Sequence, residues 1–91
     1  MILELGQLVV TKGVADQMEQ DPAFAGFVTD AIRRHQKGDW GEIDIDDRKE
    51  NELSVKEGFR VISAFSYNSI KVWVITEASR DYTTVLFPSE Y

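Results

Sequence analysis

The spacing of apolar residues in this chain changes near Phe59, from intervals of three and four to intervals of two. Upstream, Phe24, Phe27, Val28, Ala31 and Ile32 form one stripe of an amphipathic helix. Downstream, Phe59, Val61, Ser63 and Phe65 alternate with Arg60, Ile62, Ala64 and Ser66. Lys71 to Glu77 then follows, dense in β-branched and aromatic residues. Ninety-one residues support one hydrophobic core, so the helical and extended parts must share it. The expectation is a single α+β domain over residues 1–91.

Local signals divide it further. Gln7–Thr11 is a short β-rich run, and Lys12-Gly13 reads as the turn that ends it. Val14–Gln20 reads as a short helix. Asp21-Pro22 is an acidic N-cap followed by proline at the first helical position. Arg33, Arg34 and Lys37 suit the negative end of that second helix, and Gly38 stops it. Asp44 or Asp46 can cap a third helix that ends near Gly58. Turns at Tyr67-Asn68-Ser69 and Ala78–Asp81 separate three strands, the last running from Tyr82 to Phe87 before Pro88. The order is therefore β-α-α-α-β-β-β. It implies an antiparallel meander of three to four strands, with the helices packed on one face and the first strand at an edge.

Composition excludes several functions. Without cysteine there is no disulfide, thiol nucleophile or thiolate metal site, which suits a cytoplasmic location. Met1–Gly6 has no basic n-region and is interrupted by Glu4, so it does not read as a signal peptide. No apolar run approaches the ~20 residues of a membrane span. A net charge of −6 opposes direct nucleic-acid binding, which rests on neutralising phosphates. No glycine-rich phosphate loop, nucleophile elbow or paired metal histidines occur, so neither cofactor nor metal is expected.

The charge is concentrated. Asp39, Glu42, Asp44, Asp46, Asp47, Glu50 and Glu52, opposed by Arg48 and Lys49, give net −5 within fourteen positions. Such a surface can imitate phosphate spacing and occupy a basic cleft. Equally, acidic residues gather at helix starts because the dipole favours them there. An EF-hand reading fails: counted from Asp39, Glu50 is twelfth, but Gly41, Ile43 and Asp44 hold the third, fifth and sixth places. Magnesium between two carboxylates stays open.

His35, Glu77 and Arg80 are the parts from which a small ribonuclease could be assembled. The carboxylate would act as base, the arginine would stabilise the phosphorane, and the histidine would protonate the leaving oxygen. The bland alternatives are a dipole partner for His35 and a turn-closing ion pair for Glu77 and Arg80. Trp73 suits the sheet–helix core or the outer face, and Trp40 suits the end of the helical layer.

Gly38-Asp39-Trp40-Gly41, Asn51, Lys71, Trp73, Ile75-Thr76-Glu77, Arg80, Thr83-Thr84, Leu86, Pro88 and Glu90-Tyr91 form a pattern over a little more than half the chain. On these residues the chain resembles a family of small bacterial proteins of plasmids, phages and integrative elements, sometimes labelled plasmid-related proteins. The resemblance brings no active site. It implies a mobile-element setting, in which small acidic proteins often inhibit host defence. Thr76, Glu77, Arg80, Thr83 and Thr84 surround one hairpin turn and, if outward-facing, make a polar patch. The ordinary reading is that the threonines suit strands.

The sequence thus points to a non-enzymatic interaction protein whose acidic surface, Asp39 to Glu52, meets a basic protein partner such as a nucleic-acid-processing enzyme. The alternatives are a small RNA-cleaving enzyme or toxin using Glu77, Arg80 and His35, and a homodimer formed through Leu8-Val9-Val10 or the C-terminal strand.

Overall fold

In the computed structural model, which describes residues 2–91, seven elements follow the expected order. They are β1 (Gln7–Val10), α1 (Lys12–Gln20), α2 (Pro22–Gln36), α3 (Ile45–Glu57), β2 (Val61–Tyr67), β3 (Ile70–Thr76) and β4 (Tyr82–Leu86), followed by a 3-10 turn at Pro88–Glu90. The leader-peptide question touches Met1, which lies outside the described residues. No helix among the described residues is long and apolar enough to cross a membrane.

Each helix begins where a side chain can take its free N–H groups. Asp21 accepts from Ala23 and Phe24, at 3.1 and 3.3 Å, and Pro22 fills the first position of α2. Asp44 accepts from the Asp47 N–H at 2.8 Å, and Gly58, with φ of 81°, ends α3 in the left-handed region. Lys12-Gly13 departs from expectation, being the first turn of α1 rather than a loop. Two oxygens from elsewhere make this so. The Thr11 hydroxyl accepts from Val14, and the Glu90 carboxylate accepts from the Gly13 N–H at 3.1 Å and the Thr11 hydroxyl at 2.6 Å.

The sheet has the order β1-β4-β3-β2. β2, β3 and β4 form the expected antiparallel meander, but β1 runs parallel to β4, so the sheet is mixed and not an antiparallel meander throughout. The physical reason lies in the connections. Tight turns force antiparallel neighbours, whereas β1 reaches the meander through three helices and is free of that constraint.

Alternation along the strands makes two faces. Ser63, Phe65, Val72, Val74 and Val85 point at α1 and α2, where Phe24, Val28 and Ala31 meet them in the main core. Burying Phe24 alone stabilises the fold by about 2–3 kcal/mol. Ile62, Ala64 and Trp73 occupy the opposite face. Phe59 lies before β2 and is exposed, outside the alternation assigned to it. Trp40 is buried with Leu3, Leu5 and Val61 in a second cluster. The helices do not all share one face: α3 lies along the outer edge of β2, held there by polar contacts.

Candidate functional site

α3 is poorly equipped to pack by burial. Ile45 and Leu53 are exposed, and its buried residues are Asn51 and Ser54. Asn51 attaches it instead. Its amide donates to the Ile62 carbonyl at 2.7 Å and accepts from the Ile62 N–H at 3.1 Å, as a further strand would. Ahead of α3, the chain pairs with the same edge at Ala64. The Trp40 carbonyl accepts from the Ala64 N–H at 3.1 Å, and the Glu42 N–H donates to the Ala64 carbonyl at 2.7 Å. Gly41 allows this approach: φ is 70°, and a β-carbon there would collide with the Ala64 carbonyl oxygen.

These attachments leave a groove of about 710 Å³ between α3 and the helix-free face of the sheet. Ile62, Ala64 and Trp73 make its floor, and Tyr91 returns from the C-terminus to meet Trp73 edge-on at 5.5 Å. Glu42, Asp44, Asp47 and Glu50 line it, together with Lys71 and with Arg60, whose guanidinium lies 5.7 Å from the centre of the Tyr91 ring. The volume is that of a small-ligand site, and the aromatic floor under carboxylates suits a cationic side chain.

The acidic residues therefore divide. Glu42, Asp44, Asp47 and Glu50 line the groove, and Glu42 also accepts from the Ser66 hydroxyl at 3.0 Å. Asp39 is turned away into an exposed ion pair with Arg34 at 2.7 Å, which holds its carboxyl below its usual pKa. Arg34 in turn lies over the Phe65 ring. Asp46 and Glu52 stand outside the groove, Asp46 in the first turn of α3. Among the described residues no cluster of three carboxylate or imidazole side chains could hold a metal ion.

His35, Glu77 and Arg80 do not form a shared solvent-facing site. His35 is fully buried, with Nδ1 bonded to the Ser63 hydroxyl and Nε2 to the Thr76 hydroxyl at 2.8 Å. A ring so enclosed has no access to a leaving oxygen on a bound nucleic acid. Arg80 reaches backbone carbonyls, of Phe59 at 2.8 Å, Glu77 at 3.0 Å and Ser54 at 3.0 Å, and not the Glu77 carboxylate. It thereby binds the carbonyl end of α3, where the dipole favours a cation. The polar patch around the turn does not exist either. Thr76 and Thr83 are fully buried and joined by a hydrogen bond of 2.7 Å.

Sequence reasoning missed the floor of the groove. The alternation along β2 sets Ile62 and Ala64 on one face, but only the register, which pairs Ala64 with Trp73, brings the indole to that face, opposite Phe65 and Val72. Comparison with protein-family models, with curated proteins and with solved structures found no match.

Proposed function

We propose that this chain is a non-enzymatic interaction protein that binds a basic protein partner through the groove beside α3. The observation that carries the reading is the coincidence of four carboxylates with an aromatic floor in one groove. An arginine or lysine side chain could lie over Trp73 while Asp47 and Glu50 neutralise it, a desolvated cation–π arrangement worth about 1–2 kcal/mol. A nucleic-acid-processing enzyme has the required basic surface, and an inhibitory role on a mobile element would suit it. The mobile-element setting rests on the sequence resemblance alone.

The test is capture of basic proteins from bacterial lysate by the wild-type chain and by an Asp47→Asn/Glu50→Gln variant, followed by affinity measurement on whatever is retained. The expected result is a basic protein that elutes as salt rises and binds the variant about tenfold more weakly. Retention indifferent to both salt and variant, or no retention, would sink the reading.

A further inference from the structure

The two edges of the sheet are finished differently. The β2 edge is closed by Asn51 and by the Trp40–Glu42 segment. The β1 edge is open. Gln7 and Thr11 donate to the Asp81 and Val85 carbonyls, at 2.9 and 3.1 Å, so the odd-numbered residues of β1 face β4. In a parallel pair the intervening residues then turn outward, which leaves the N–H and C=O of Leu8 and Val10 facing away from the sheet. Among the described residues, no hydrogen bond outside the strand ladder reaches these groups. Gln7–Val10 carries no lysine, proline or acidic residue to blunt the edge. Leu8 is 52% exposed and Val9 39%.

We propose that the chain forms a two-fold homodimer by antiparallel pairing of β1 with β1 of a second copy, giving one continuous sheet with four strands from each. The strand is self-complementary. With the axis at Val9, Leu8 stands opposite Val10 of the second copy, and Val10 opposite its Leu8. Both residues present outward donors and acceptors, so each pair exchanges two hydrogen bonds. Leu8 then packs on Val10 on one face, and the two Val9 side chains meet on the other.

Charge does not oppose this assembly, although each copy carries −6. The acidic segment lies beyond β2, at the far end of the strand order. At ~4.8 Å per strand the two β2 strands stand about 34 Å apart and the acidic segments outside them farther still, several Debye lengths at physiological salt. Beside β1, Lys12 and Asp16 neutralise each other at 2.9 Å. Other occupants of the edge, such as an extended peptide, would leave the chain itself monomeric.

Sedimentation equilibrium over a wide concentration range, up to millimolar, tests the proposal on the full chain. The expected mass rises toward twice that of the monomer. Val9→Lys places like charges on the axis, and Leu8→Pro removes an outward N–H that β4 does not use. Both should remain monomeric while keeping the wild-type circular dichroism. Hydrogen exchange decides independently of any variant: the Leu8 and Val10 amides should slow with concentration, while that of Thr11 should not change. A wild-type chain that stays monomeric, or a dimer whose Leu8 and Val10 amides exchange freely, would overturn the proposal. Neither variant touches the groove, so the outcome is separate from that of partner capture.

Discussion

His35 shows how much one buried polar residue can dictate. The Thr83 hydroxyl can only donate to the Leu5 carbonyl, at 2.8 Å, so it accepts from Thr76. Thr76, its proton spent, accepts from His35 Nε2–H, and the bare Nδ1 then accepts from Ser63. The chain of bonds fixes a neutral ring with its proton on Nε2, and it ties α2 to β2, β3, β4 and the N-terminal segment. Burial first, and the Arg80 charge second, push its pKa down to about 4 from the ordinary 6.5. Between these values the unfolded chain binds a proton that the folded one refuses. The stability present above pH 6.5 is therefore lost as pH falls toward 4, by up to about 3 kcal/mol. Urea denaturation across this window should show the loss, and the ring's NMR resonances should be silent near pH 6.5. A His35 titration near 6.5 would mean that the ring is solvated.

At the scale of elements, α3 is held by side chains that replace ordinary packing. Removing the Asn51 amide leaves the Ile62 N–H and C=O without their partners at a site only 5% exposed, a cost of about 1–3 kcal/mol. Asn51→Ala should speed amide exchange in α3 while α2 keeps its protection, as read by hydrogen–deuterium exchange. Uniform acceleration would mean that α3 opens only with the whole domain. The same contrast explains what is legible in the sequence. Asp21-Pro22, Asp44 and Gly58 mark helix ends because their partners lie within a few residues. The start of α1 is obscure because its second acceptor, Glu90, is 79 positions from Thr11. Arg80 reads as a turn residue because the Ser54 carbonyl it serves lies 26 positions away. The parallel sense of β1 depends on a crossover whose direction no local pattern records. At the candidate site, the acidic wall is visible in composition. The floor is not, since which face of β2 and β3 lacks helices is decided by where α1 and α2 dock.

Over the whole molecule, net −5 on Asp39 to Glu52 against −1 elsewhere makes one end of the sheet the centre of the protein's field. Such a field acts at long range on encounter, and the groove acts at contact on release. The two contributions separate kinetically with an arginine- and lysine-rich peptide as probe. Raising salt from low to physiological strength should cut the association rate by roughly tenfold or more, because the attraction is screened within about 8 Å. Trp73→Ala should leave that rate nearly unchanged and speed dissociation, because the indole is half-buried in the groove floor and adds little to the field. Asp47→Asn/Glu50→Gln should do both, since these carboxylates belong to the field and to the wall. Stopped-flow fluorescence of Trp73 reports the association rates of the chains that retain it, and a labelled peptide serves for Trp73→Ala. An association rate flat in salt would deny the acidic end any part in encounter. Dissociation unaltered by Trp73→Ala would place the contact outside the groove.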